Sequence, residues 1–211
     1  MAFTYGPHYH LEDDDETHVT IQMEKSVDSA TMCLRYLTDS PSLVTLISMS
    51  NSESYSGVYL EKGYDGVALY VGSYRKASIG REGEKQGAWN SLCLVWDAQK
   101  GRVKLWLNSG EGTEEEVIAE SLCGPNVTSP KITLGRRYTP FNFLASGGGF
   151  EREIKDIHVW DSALSSDDIQ KYMDYETGSV SFSPGNIVNW KALNYEVKGR
   201  HFLLREEGKC E

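Results

Sequence analysis

Four cysteines, a pair of adjacent arginines and a short run of alternating acids are the residues whose types and spacing bear on chemistry. Cys33 lies in Thr31-Met32-Cys33-Leu34-Arg35-Tyr36-Leu37 and Cys93 in Ser91-Leu92-Cys93-Leu94-Val95-Trp96-Asp97. Both runs are strand-like, and neither shows metal-ligand spacing such as Cys-x-x-Cys. On central strands two such residues either cross-link facing positions of a sandwich or remain buried free thiols. A bridge closing a loop of that length stabilises the fold by about 4 kcal/mol in the chain-entropy model. Cys123 and Cys210 lie in turn-like and tail-like surroundings, where a free thiol is a liability. They read as a second bridge, within or between chains, and as a mark of an oxidising compartment. Asn126-Val127-Thr128, in a Gly-Pro loop, is an N-glycosylation sequon that fits export.

The acids do not assemble a catalyst. Retaining glycosidases of β-sandwich shape set two carboxylates about 5 Å apart by alternating acids on one strand, in a pattern resembling Glu-x-Asp-x-x-Glu. Glu151-Arg152-Glu153-Ile154-Lys155-Asp156 puts Glu151 and Glu153 on one face, lacks the third acid at that step, and reads as a solvated strand face. There is no Gly-x-Ser-x-Gly elbow, His-Glu-x-x-His or phosphate loop, and Gly147-Gly148-Gly149 is not followed by Lys-Ser/Thr. His8-x-His10 with Glu12 has the residue types of a divalent-metal chelate, placed in a tail. The chain is expected to be no enzyme and to hold no cofactor.

Composition bounds the rest. At 211 residues, with 39% hydrophobic and 25% charged residues, the chain is long enough for one well-filled globular domain. A net charge of −10 repels a phosphate backbone, which argues against nucleic acid as the partner. Much of that charge is local, in Glu12-Asp13-Asp14-Asp15-Glu16 and Glu114-Glu115-Glu116, runs that read as solvated tails or loops. No apolar run reaches the ~18 residues of a membrane span. Met1-Ala2-Phe3-Thr4-Tyr5-Gly6 lacks a basic start and an apolar stretch, so the chain reads as cytosolic or as a mature form without its leader.

The elements that must position these residues are mostly strands. Runs bounded by Gly, Pro, Ser and Asn fall at 18–23, 32–37, 43–49, 57–61, 67–71, 91–96, 103–107, 117–121, 131–134, 153–160, 186–190 and 196–204. Val103, Leu105 and Leu107 alternate with Arg102 and Lys104, as a half-buried strand requires. Ile154, Ile157 and Val159 mix phases, which predicts a bulge near Lys155-Asp156. One helix is predicted near 165–175. Ser165 is its N-cap, Asp167 and Asp168 face its positive end, Ile169, Tyr172 and Met173 form an apolar stripe, and Gly178 follows the stop. The organisation is an acidic, mobile N-terminal arm over 1–16, one all-β antiparallel domain over 17–205, and a tail over 206–211 with Cys210.

The end of the chain carries a family resemblance. Ile157-His158-Val159-Trp160-Asp161, the Leu164-Ser165-Ser166-Asp167 helix start and Asn186-Ile187-Val188-Asn189-Trp190-Lys191-Ala192-Leu193-Asn194-Tyr195-Glu196-Val197 resemble the end of a short pentraxin. His18-Val19-Thr20-Ile21 resembles the family's first core strand, and Met32 to Asp39 its cysteine-bearing strand. Of the family's short motif, His-x-Cys-x-Ser/Thr-Trp-x-Ser/Thr, only Cys93 and Trp96 are present. The resemblance covers about 190 residues, from Thr17 to Phe202. It implies a jelly-roll sandwich, an intersheet Cys33–Cys93 disulfide, secretion, and a cyclic homo-oligomer, most simply a pentameric ring of a lectin-like or innate-defence type. A ring makes weak contacts multivalent.

The resemblance also implies two calcium ions on one sandwich face, and the positions that should hold them are substituted. Tyr55 and Ser56 stand where an Asp-Asn pair is expected, Arg136-Arg137-Tyr138-Thr139 where Gln-Glu-Gln-Asp is expected, and Leu144 where a Glu is expected. Calcium needs six to eight oxygens, several from carboxylates, so calcium binding at this site is not expected. Arg75 matches the acid that would meet a choline cation. Arg75, Arg136 and Arg137, with Lys76 and Arg81, are instead expected to converge on that face and take an anionic or glycan ligand. The alternatives are a structural or carrier protein whose ring is its function, and a small-molecule binder using Tyr55, Tyr138, Phe141 and Phe143.

Overall fold

The computed structural model describes residues 8–11, 18–23, 27–38, 43–50, 56–71, 74–97, 99–108, 110–116, 131–138, 144–145, 152–175, 180–193, 196–198 and 202–205. In chain order its strands are β1 (His8–Leu11), β2 (His18–Gln22), β3 (Ala30–Leu37), β4 (Val44–Ser50), β5 (Ser56–Gly63), β6 (Gly66–Val71), β7 (Tyr74–Gly80), β8 (Asn90–Asp97) and β9 (Arg102–Leu107). They continue with β10 (Gly110–Glu116), β11 (Lys131–Leu134), β12 (Arg137–Tyr138), β13 (Leu144–Ala145), β14 (Arg152–Trp160), β15 (Val188–Asn189), β16 (Glu196–Lys198) and β17 (Phe202–Arg205). One helix, α1 (Ser166–Asp174), follows β14.

Two antiparallel sheets make a jelly-roll sandwich. The first runs β10-β9-β8-β3-β14-β1-β17, with β15 on the far end of β14; the second runs β16-β2-β11-β4-β5-β6-β7; β12 and β13 form a separate small ribbon. Alternation decides which side chains enter the space between the sheets. Met32, Leu34, Leu92, Leu94, Val103, Leu105, Ile154 and Val159 enter from the first sheet, and Val19, Ile21, Ile47, Met49, Leu60, Leu69 and Ile132 from the second. At one end of this core the Tyr36 hydroxyl donates to Glu84 at 3.0 Å, and Lys62 approaches the same oxygen at 3.8 Å. Burial, and then the Glu84 carboxylate, push the Tyr36 phenol well above its ordinary range.

The outer face of the first sheet is closed by α1. Ser165 caps the helix by accepting from the Asp168 amide at 3.2 Å, and Lys171 pairs with Asp168 at 2.8 Å. Ile169, Tyr172 and Met173 then pack on Cys33, Cys93, Trp106 and Trp160, each apolar side chain contributing about 1.5–3 kcal/mol by burial. Beneath the helix lies Arg35, only 1% exposed. Its Nε donates to Asp156 at 3.2 Å, Nη2 to the Tyr172 carbonyl at 2.8 Å and Nη1 to the Ser91 hydroxyl, with the Tyr172 ring 5.0 Å away. His158 is buried against Trp160, Tyr172 and Phe182, and its Nδ1 accepts from the Gly185 amide at 3.3 Å. Burial above all, then Lys191 and Arg35, push its pKa down to about 4.

The bulge predicted near Lys155-Asp156 is present. The pairing of β14 with β3 shifts between Lys155 and His158, and Asp156 adopts a φ of 56°. That extra residue restores Ile157 to the core and sets Asp156 beside Arg35.

Several expectations need correction. Cys33 and Cys93 are bridged, but not between sheets: they are directly paired residues of neighbouring strands β3 and β8, with Cα atoms 4.1 Å apart. Register explains this, because both residues face α1 rather than the opposite sheet. Residues 8–11, within the expected arm, form β1 and pair with both β14 and β17. Glu114-Glu115-Glu116 belong to edge strand β10 rather than to a loop. The run 196–204 is two strands: β16 joins the second sheet and β17 the first. The run 186–190 narrows to β15, followed by a 3-10 turn over Trp190–Ala192. Residues 117–121 and Gly178 lie outside the described residues, and among the described residues no helix is long and apolar enough to cross a membrane.

Candidate ligand face

The outer face of the second sheet is built differently from an ordinary solvated sheet face. Register aligns Thr20, Thr133, Ser48, Tyr59, Tyr70 and Arg75 in one cross-strand row over β2, β11, β4, β5, β6 and β7. Thr45, Glu61, Ala68 and Ser78 form the next row. Outward-facing hydroxyls are normally wet. Here Thr133, Ser48, Thr45 and Glu61 are all buried, so something covers this face.

The cover begins where β11 ends. Gly135, at a φ of 79°, turns the chain in a conformation that favours glycine, and its amide donates to the Leu46 carbonyl at 3.0 Å. That carbonyl is offered by an extra residue in β4, where pairing with β5 shifts between Thr45 and Ile47. Arg136 is thereby laid back over β4, where its carbonyl accepts from the Ser48 hydroxyl at 2.7 Å. β12 continues across β4 and β5. Arg136 itself is 3% exposed.

Beneath this cover Thr45 donates to the Glu61 carboxylate at 3.3 Å. Tyr59 and Tyr70 stack in parallel, with centroids 5.0 Å apart and planes 8° apart. Thr133 Oγ1 is buried with no hydrogen-bond partner, a polar group whose desolvation is not repaid. The row therefore grades from a dry hydroxyl floor at Thr133 and Ser48, through an aromatic pair, to the exposed guanidinium of Arg75. Three strand spacings, about 14 Å, separate Ser48 from Arg75.

Of the cations read from the sequence, Arg75 ends this row and Arg136 lies over β4. Arg75 pairs with Asp65 at 3.4 Å, both side chains well exposed, so the pair is weak and exchangeable. Lys76 lies over the Tyr74 ring at 5.8 Å and Arg81 over the Tyr64 ring at 5.4 Å. Arg137 and Tyr138 form β12, and Leu144 begins β13. Tyr55, Cys123, Asn126, Cys210, Phe141 and Phe143 lie outside the described residues. Among the described residues no three His, Cys, Asp or Glu side chains gather as a metal cage. The Tyr59–Tyr70 stack and the buried hydroxyls went unread in the sequence. Their signal, Ser48 and Tyr59 in step with outward positions, looks like an ordinary solvated face until a covering loop is placed on it.

Comparison with known proteins places this architecture. The chain is 31% identical over 191 residues to the serum amyloid P-component of Bos taurus, covering 86% of this chain and 79% of that protein. It is 27% identical over 190 residues to the C-reactive protein of Xenopus laevis, covering 85% of this chain and 73% of that one. Its fold superposes on a heptameric SAP-like pentraxin from Limulus polyphemus with a TM-score of 0.73 at 16% identity, covering 97% of each chain. The model of the pentaxin family matches residues 10–204, and with these relatives it shows that the chain belongs to the pentaxin (pentraxin) family, as a divergent member.

Proposed function

We propose that this pentraxin-type recognition protein is a secreted, non-enzymatic, cyclic homo-oligomer that binds an anionic or glycan ligand on the covered face of the second sheet, without calcium. The observation that carries the reading is Arg136, a buried arginine whose carbonyl accepts from Ser48, standing where the family resemblance calls for carboxylates. A divalent ion set beside a buried guanidinium would meet charge repulsion in a medium that screens it poorly. The exposed end of the row supplies the recognition group: the Arg75 guanidinium is suited to bidentate capture of carboxylate, sulfate or phosphate, and its partner Asp65 is exposed enough to be displaced. Ring assembly raises the avidity of such a weak single site.

A glycan and anion array, run with the native protein in millimolar calcium and in EDTA, tests this reading. Binding should be equal in both and should weaken in Arg75→Glu. Thermal melts in the two buffers should superimpose. Binding that needs calcium, or a calcium-dependent rise in melting temperature, would overturn it. Native mass measurement gives the ring size, with a monomer counting against assembly.

A further inference from the structure

The cross-strand row of the second sheet opens to solvent at its β6–β7 end. Thr133, Ser48 and Tyr59 are buried, Tyr70 is half-buried and Arg75 is exposed. The rings of Tyr59 and Tyr70 are parallel and 5.0 Å apart, close to the spacing of the strands that carry them. Tyr59 therefore covers one face of the Tyr70 ring. The other face is turned towards β7, where among the described residues no second ring meets it. Arg75 stands opposite Tyr70 on β7, and its guanidinium reaches along the sheet to Asp65, in the turn between β5 and β6. The floor beside Tyr70 is made of small residues, Ala68 and Ser78, which pair with each other and alternate with the core residues Leu69 and Ala77. Lys76, the extra residue where the β6–β7 pairing shifts, adds a second cation at the Tyr70 end. Glu82, whose carboxylate lies against Gly80, makes the far end acidic. The result is a shallow recess with a flat aromatic wall and a guanidinium beside it.

We propose that this recess holds the carboxylate-bearing ring of an acidic sugar, a uronic or sialic acid residue of a glycan, with its apolar face on Tyr70 and its carboxylate on Arg75. The assignment rests on the calcium-free anion or glycan reading above and names the class within it. Arg75 already holds a carboxylate, that of Asp65, in a well-exposed and therefore weak pair. A ligand carboxylate can take that place, because the guanidinium fork matches its planar geometry. The wall asks for a ring. The electron-rich face of Tyr70 is suited to the C–H groups on one side of a sugar, which it removes from water. A bare sulfate or phosphate would leave that wall unused. The recess is open, which keeps the sugar hydroxyls hydrated, whereas a wholly apolar ring would gain most from a deep and enclosed pocket. Asp65 is then a built-in competitor that the ligand must displace.

The test passes the full-length, disulfide-intact protein, in EDTA, over immobilised polymers and reads binding by biolayer interferometry. Polygalacturonate and polysialic acid carry the carboxylated ring. Methyl-esterified pectin has the ring without the charge, polyacrylate the carboxylate without the ring, and dextran sulfate a ring with sulfate instead. At least one of the two carboxylated glycans should bind about tenfold tighter than the three controls, as the loss of a charged hydrogen bond or of the stacked ring requires. Tyr70→Ala should weaken that binding by about fivefold, with most of it recovered in Tyr70→Phe. Arg75→Gln should weaken it by about tenfold or more. Asp65→Asn, which releases Arg75 from its internal partner, should strengthen it by about two- to fivefold. Polyacrylate or dextran sulfate binding as tightly, lost in Arg75→Gln but unchanged in Tyr70→Ala, would overturn the acidic-sugar assignment and leave the broader anion reading standing. Binding of neither carboxylated glycan in EDTA would also overturn it, and binding that returns only with calcium would bring down both readings.

Discussion

Replacing Arg35 by methionine keeps most of the volume and removes the charge at the centre of the helix–sheet contact. The guanidinium is 1% exposed and serves Asp156, Ser91 and the Tyr172 carbonyl at once. Arg35→Met leaves the Asp156 carboxylate, itself only 15% exposed, without its guanidinium. Breaking a buried pair in this way costs about 3–5 kcal/mol. Unfolding entropy near 2.1 cal/mol/K per residue converts that to a fall in Tm of roughly 7–11 °C for a domain of this size. Differential scanning calorimetry and urea titration measure both. The informative variant is the double mutant Arg35→Met/Asp156→Asn, because asparagine tolerates the left-handed backbone of Asp156 while removing the stranded charge. The double mutant should be more stable than the sum of the two losses predicts, by about 1–3 kcal/mol. A loss below about 1 kcal/mol in Arg35→Met, or strict additivity in the cycle, would refute the view that this guanidinium clamps α1 to the sheet.

Removing the bridge in Cys33→Ala/Cys93→Ala should cost about 4 kcal/mol by freeing a loop of 60 residues. Urea melts measure this, and peptide mapping of the unreduced wild type should find neither thiol free. His158, neutral in the fold with a pKa near 4 against 6.5 for the exposed group, gives a definite pH dependence. The unfolded chain takes up its proton first, so stability is full above pH 6.5 and falls by about 3 kcal/mol on acidification towards pH 4. His158→Gln should flatten that slope in melts taken across the window. Ser165→Ala should cost about 1 kcal/mol by leaving the Asp168 amide uncapped, a loss of roughly 2 °C in Tm by the same entropy conversion.

Local order was legible where one period or one cap governed it. The alternation of Val103, Leu105 and Leu107 marked β9, the phase break at Ile154 and Ile157 marked the bulge, and Ser165 with the Ile169–Tyr172–Met173 stripe marked α1 to within a residue. What failed depended on which face a strand turns to its neighbours. Nothing local distinguishes a cysteine pair joining two sheets from one lying within a sheet, and Cys33 and Cys93 are the latter. The burial of Arg35 had no signal in the sequence around it, because it is created by a helix more than a hundred residues further on. β7 was missed, since Tyr74, Arg75 and Lys76 weaken its apolar pattern at one end. On the candidate face the cations were legible as residue types. The burial of Arg136 and the dry floor at Thr133 were not, because both depend on the turn at Gly135 folding the chain back over β4.

The pairing of His8 with Arg205 sets a timetable for the nascent chain. Synthesis at about 5–20 residues per second separates these two strands by roughly 10–40 s. During that interval β14 has emerged, and the edge that will receive β1 has no β17 to complete the sheet beyond it. The second sheet waits as well, because β2 takes β11 and then β16 as neighbours, both made long after it. Pairings of such long sequence separation close late and slowly, and the unpaired edges are exposed for the whole wait. The first sheet can therefore be completed only after β17 has been made.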